Sequence, residues 1–154
     1  MELADILMPA AVGVVSQMTS RKRLFQQLGE IAAATYGINQ NDAVCALQER
    51  EKLGSTGVGQ GVALPHARLS GLDTVVGVFL RIEQPLDFGA VDRQAVDLVF
   101  ALFAPLEAGA EHLKALALVS RTMRNKEVCE KLRANSDPTI LHALLTSAQS
   151  IQAA

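Results

Sequence analysis

Cysteine is scarce in this chain of 154 residues: there are two, Cys45 and Cys129, both within helix-like patterns and without metal-ligand spacing. Their number and placement argue against a disulfide framework, and both read as small core residues in a reducing cytoplasm. Charge of one sign is also lacking. Fourteen Lys and Arg stand against 16 Asp and Glu, a net −2 with no basic stripe, so direct nucleic-acid binding is not expected. No apolar run reaches the ~18 residues of a membrane span. Residues 1–20 contain Glu2 and Asp5 but no Lys or Arg, and Pro9 interrupts them, which excludes a secretory signal. Internal repeats and low-complexity linkers are missing too. What is present is an apolar content of 49% against 19% charged, the balance of a folded chain. The length fits a single domain over 1–154, able to bury its core without disulfide or metal.

The unusual residues concentrate between Gly54 and Arg68, where Gly54, Gly57, Gly59 and Gly61 crowd together. Val62-Ala63-Leu64 and then Pro65-His66 follow. Glycine admits positive φ and close approach of a bulky group, and proline fixes φ and withholds an N–H. The expected arrangement is a pliable loop feeding a strand whose far end presents His66. A dinucleotide fingerprint is excluded, because that motif needs a strand before it and a helix after it, and here the order is reversed. A hydrolase elbow is excluded because the G-x-S-x-G spacing is absent around Ser55 and Thr56. From the residues alone, a plain turn carrying a surface histidine remains the alternative.

Along the rest of the chain, Val12–Val15 reads as a short strand. Thr19 or Ser20 caps a helix that Gly37 stops, and Asn39 caps a second helix running to about Lys52. Ala43, Leu47 and Arg50 share one side of that second helix. Arg50 therefore stands at its C-terminal end beside the glycines, where a charge favoured by the helix dipole is the simpler account. Arg68 to Asp73 reads as a turn around Gly71. Thr74–Ile82 and Ala95–Phe103 are β-rich runs, apolar on both faces, so they are expected as central strands joined through a loop or hairpin. Helices are expected at about Glu111–Met123, Lys126–Ala134 and, opened by Asp137-Pro138, to about Ser147. The fold class is α/β, a central sheet flanked by helices in one domain.

His112 lies in register with Ala115, Leu116 and Val119, so it faces a semi-apolar side near a helix start, and a core-edge histidine is the competing account. His142 reads as an ordinary helix-surface residue. A metal held by His66, His112 and Glu111 or Glu107 has no specific spacing behind it.

The string Arg50-Glu51-Lys52-Leu53-Gly54-Ser55-Thr56-Gly57, with Gly59, Gly61, Val62-Ala63 and Pro65-His66, resembles the active-site signature of the phosphotransferase-system enzyme IIA domains of the mannitol/fructose type, most closely their nitrogen-regulatory branch. The resemblance spans nearly the whole chain. It implies a mixed sheet sandwiched by helices, and a phosphotransferase whose His66 is the nucleophile and carries a phosphoryl group on Nε2. It implies that Nδ1 is held by an acceptor such as a backbone carbonyl of the glycine loop. Arg50 and His112 flank the phosphoryl group, and Ser55 and Thr56 are candidate hydroxyl donors to it. No metal or cofactor is implied.

The implied partners are an HPr-like phosphocarrier as donor and regulated targets such as a kinase or a transporter, in the cytoplasm, with no nucleic acid and no membrane insertion. Val58, Val62, Leu64 and Leu69 are candidates for the docking surface, although Val62 and Leu64 also suit the core. A chain ending at Ala154 with neither a IIB nor a IIC segment favours the regulatory branch. The alternatives are a stand-alone sugar-specific IIA component that passes phosphate to a IIB domain, and a silent binding module. Two residues depart from the sugar branch: Gln60 replaces a glutamate and Ala67 a common glycine. An uncharged Gln60 removes a possible acceptor for a charged imidazole.

Overall fold

The computed structural model describes residues 1–153, with side chains through Ser147. Helix α1 (Leu3–Ile6) and a 3-10 turn at Pro9–Ala11 lead into strand β1 (Val12–Val15). Helix α2 (Arg21–Tyr36) begins where Ser20 Oγ accepts from the Arg23 N–H, and ends at Gly37 with φ +72°. Helix α3 (Gln40–Lys52) begins where Asn39 Oδ1 accepts from the Asp42 N–H. Both caps are those expected from the sequence.

The glycine stretch is more structured than a loop. Strands β2 (Gly57–Gly59) and β3 (Val62–Ala63) form a small antiparallel hairpin, and β4 (His66–Leu69) follows after Leu64-Pro65. Strands β3 and β4 run parallel to β6 (Val96–Pro105) in one unbroken register, with Val62 opposite Leu98 and His66 opposite Leu102. They are two halves of one line of pairing, interrupted where Pro65 has no N–H to donate. His66 thus opens a strand instead of ending one, and Arg68 is a strand residue, not part of a turn. The reason is tertiary: β6 supplies a ladder that the short, charged segment His66–Leu69 does not advertise by itself.

Strand β5 (Val76–Leu86) pairs antiparallel with β6, and β1 pairs parallel with β5. The order β1-β5-β6-β3-β2, with β4 also on β6, makes a mixed six-stranded sheet. Strand β5 extends beyond the expected Ile82. Its register shifts between Arg81 and Leu86, where Pro85 cannot donate and the Gln84 N–H turns to Ser16 O at 2.9 Å.

The sheet centre is fully apolar. Val78, Phe79, Leu80 and Ile82 of β5 and Leu98 to Phe103 of β6 are all buried, as two-faced burial requires. Helices α2 and α3 pack on each other against β5 and β4. Helices α4 (Gly109–Met123), α5 (Lys126–Arg133) and α6 (Pro138–Ala153) pack together against β6 and β1. Asp137 Oδ1 accepts from the Thr139 N–H at the start of α6, which continues past the expected Ser147.

Two smaller expectations are corrected. Cys45 is exposed on α3, while Cys129 is buried and donates its thiol to Met123 O. His142 is no plain surface residue: its Nε2 lies 2.9 Å from Leu7 O and ties α6 to the N-terminal segment.

Candidate functional site

Alternation along β4 sends His66 and Arg68 to one face, while Ala67 and Leu69 are buried. His66 follows Pro65 at the very start of the strand, where the chain leaves the β3 ladder. The Leu64 carbonyl is turned towards the histidine ring, and His66 Nδ1 lies 2.8 Å from Leu64 O. A carbonyl only accepts, so Nδ1 carries the proton. Nε2 then holds a lone pair, and Arg50 Nε donates to it at 3.3 Å. A protonated Nε2 could not accept from a guanidinium, so both contacts select one neutral tautomer.

Arg50 comes from the last turn of α3, and its Nη1 donates to Gly54 O at 3.0 Å. Its neighbour Glu51 points inward. The Glu51 carboxylate is buried and accepts from the Thr56 N–H at 3.0 Å and the Thr56 hydroxyl at 2.6 Å, with Arg21 at 3.6 Å. These bonds close the turn between α3 and β2, and so fix the Gly54 carbonyl that restrains Arg50.

His112 enters from the first turn of α4, 7% exposed, with its ring edge-to-face against His66 at a centroid separation of 5.7 Å. Arg68 Nε donates to His112 Nδ1 at 3.3 Å. The proton of a neutral His112 therefore sits on Nε2. Among the described residues, His112 Nε2 is the buried side-chain polar atom that has no partner.

Burial lowers the His66 pKa below its ordinary value, and the Arg50 charge acts in the same direction; the Leu64 carbonyl and Glu51 oppose them. Burial also lowers the His112 pKa, with help from His66 and Arg68. Both rings are neutral at neutral pH. They open on a hollow of about 550 Å3 lined by Ala46, Arg50 and Leu53 of the α3 end, His66 and Arg68 of β4, and His112 of α4. A neutral imidazole whose lone pair is met by the Arg50 guanidinium, beside a second imidazole with a partnerless N–H, can receive a compact anion once Arg50 turns from the ring to it.

The structure thus brings together His66, Arg50 and His112, which lie on three separate elements. It does not bring Thr56, whose hydroxyl is given to Glu51 in the interior. Ser55 is also engaged locally, its Oγ accepting from the Gly57 N–H at 3.0 Å. Gln60 faces the α5 side, beside Met123, Arg124 and Arg133, with φ +56°; the acceptor for the His66 ring is Leu64 O. Of the apolar docking candidates, Val62, Leu64 and Leu69 are buried and Val58 is exposed. The large exposed apolar side chain that lines the hollow is Leu53, 84% exposed. Arg68 is the site residue that sequence reasoning missed. Its position two residues after His66 would have revealed it once that segment was read as a strand. Among the described residues no group of three or more His, Cys, Asp or Glu is placed to hold a metal.

A helix-flanked mixed sheet with this histidine pair at one edge defines a class. Residues 5–148 match the model of the phosphoenolpyruvate-dependent sugar phosphotransferase system family, EIIA 2, and the chain belongs to that family. Within the family its similarity is to nitrogen regulatory proteins. It is 42% identical to that of Bradyrhizobium diazoefficiens over 145 residues, covering 94% of this chain and 95% of the relative. It is 37% identical to that of Klebsiella oxytoca, covering 97% and 93%. The crystal structure of the nitrogen regulatory protein IIA-Ntr from Neisseria meningitidis superposes with a TM-score of 0.87 at 35% identity, covering 94% of this chain and 99% of that one.

Proposed function

We propose that this protein is a cytoplasmic regulatory IIA protein that accepts a phosphoryl group on His66 from an HPr-like phosphocarrier. It then signals through phosphorylation-dependent binding to target proteins such as a kinase or a transporter. One observation carries the reading: the Nδ1–H of His66 is tied to Leu64 O, which leaves the Nε2 lone pair facing an open hollow with Arg50 beside it.

In this reading Nε2 attacks the phosphorus of the donor phosphohistidine in line. The Nε2–P bond forms as the donor N–P bond breaks, and the donor nitrogen keeps the electron pair. The Nδ1 proton of His66 stays in place, so the product is a phosphoryl-imidazolium stabilised by the Leu64 carbonyl. Keeping that proton keeps the phosphoryl group transferable. Arg50 leaves Nε2 for the phosphoryl oxygens, still tethered through Nη1 to Gly54 O. His112 donates its Nε2–H to another oxygen. Phosphoryl transfer needs such positioning and charge stabilisation more than covalent work by the protein. The transfer adds a charge of about −1.5 to −2 to the site, enough to recruit or repel a docking partner.

The test is incubation with enzyme I, the carrier and phosphoenolpyruvate, followed by intact-mass measurement. The wild type should gain one acid-labile phosphoryl group and His66→Ala none. Arg50→Ala and His112→Ala should keep the fold and transfer more slowly, by about 100-fold for loss of a well-placed donor. Normal loading of His66→Ala would sink the proposal. Onward transfer to a IIB cysteine would replace the regulatory reading with the sugar-transport one.

A further inference from the structure

Among the described residues Arg68 is a cation without a counter-ion. No carboxylate among them forms an ion pair with it, and its hydrogen-bond partner is the His112 ring. A surface arginine left to itself extends into water. Here the guanidinium turns across from β4 to α4 and donates Nε–H to Nδ1 of a histidine that is 7% exposed. A guanidinium never accepts, so this contact admits one neutral tautomer of His112, with the proton on Nε2. That proton has no acceptor in the resting site, an arrangement that costs free energy unless something else requires it.

We propose that Arg68 is a positioning residue. By occupying His112 Nδ1 it keeps the His112 proton on Nε2, ready for an oxygen of the phosphoryl group carried by His66. The inference rests on the reading of His66 as phosphoryl acceptor. Without Arg68 the Nδ1 lone pair is open to water, and an Nδ1–H tautomer becomes available that is hydrogen-bonded at the rim. In that tautomer Nε2 presents a lone pair to the phosphoryl group and repels it. The β4–α4 contact also holds the two rings at their 5.7 Å separation. Alternation along β4 lets one short strand supply both the nucleophile and the group that orients its neighbour.

Imidazole nitrogen NMR on the unphosphorylated protein reads the proton directly. In the wild type His112 Nδ1 should show the unprotonated signature and Nε2 the protonated one. Arg68→Ala should shift the proton towards Nδ1, and Arg68→Lys, still a donor without an acceptor, should restore the wild-type pattern. After loading with enzyme I, carrier and phosphoenolpyruvate, the lifetime of phosphorylated His66 should fall about tenfold in Arg68→Ala, the effect of one hydrogen bond to a charged group. The Arg68→Ala/His112→Ala double variant should be no worse than His112→Ala alone, because Arg68 acts through His112. An unchanged His112 signature in Arg68→Ala, or additive losses in the double variant, would overturn the role of Arg68. A wild type that takes no phosphoryl group would overturn the reading of His66 itself.

Discussion

At the residue scale the site depends on where two protons sit. If His66 is the phosphoryl acceptor proposed above it must be neutral to attack, and its pKa lies below the ordinary ~6.5, lowered by burial first and by Arg50 second. Phosphoryl acceptance should therefore be flat through neutral pH and decline with a midpoint below ~6.5. Arg50→Ala removes one of the lowering influences and should move that midpoint upward; a midpoint that moves down would contradict the assignment. The same shifts affect stability. His66 and His112 take up protons less readily when folded than when unfolded. Below ~6.5 the unfolded chain binds the extra protons, so stability falls as pH drops from there to the folded pKa values and rises with pH across that window. Thermal melts between neutral and mildly acid pH should show this slope, and it should shrink in the His66→Gln/His112→Gln variant.

At the scale of elements, the β2–β3 hairpin is the frame that sets Leu64, and hence His66. Thr56 O accepts from the Leu64 N–H at 2.9 Å, and Gly61 O accepts from the Asp97 N–H at 3.0 Å. The hairpin tip is held from two sides. Asp92 accepts from the Gln60 N–H, and Arg133 of α5 donates to Gln60 O while its guanidinium forms a two-pronged pair with Asp97. At Gly57 the constraint is space. A Cβ there would come within 2.7 Å of Ala90 Cβ and 2.8 Å of Ala90 Cα, so backbone would have to move. Gly57→Ala should cost about 1–3 kcal/mol in urea unfolding, the usual penalty for overpacking, and should slow phosphoryl acceptance by displacing Leu64. Wild-type stability and rate in this variant would show that the hairpin does not position the histidine.

At the scale of the whole molecule, the N-terminal segment is fastened to α6 by His142 and to α2 and β5 by one phenol. The Met8 N–H donates to Tyr36 Oη at 3.0 Å, and Tyr36 Oη donates to Gly77 O at 2.7 Å. Tyr36 ends α2, so this hydroxyl joins the chain start, the α2–α3 layer and the central strand β5. Burial raises its pKa, and it stays a neutral donor throughout the useful pH range. Tyr36→Phe leaves the Met8 N–H and the Gly77 carbonyl without this partner. Stability should drop by about 1–3 kcal/mol, while His66 still accepts its phosphoryl group. A denaturation midpoint unchanged from wild type would contradict this role.

The elements with strong local signals were legible along the chain. Helices α2 and α3 announced themselves through Ser20, Asn39 and Gly37, and the apolar runs of β5 and β6 gave the buried sheet centre. Such signals are local because capping and apolar periodicity act within a few residues. Strand β3 was legible in the run Val62-Ala63-Leu64, but β2 and β4 carried no such signal, since glycines become a strand only with β3 alongside them and the segment His66–Leu69 only with β6 alongside it. The resemblance carried by the Arg50–His66 stretch pointed to His66, Arg50 and His112, but their convergence, the proton on each ring and the contact of Arg68 with His112 depended on β4 meeting both α3 and α4. Thr56 marks the other side of that divide: the family resemblance suggests a phosphate donor, and the fold turns it inward to Glu51. A residue's chemistry is written in its side chain, whereas its partners are set by contacts between segments far apart in the chain.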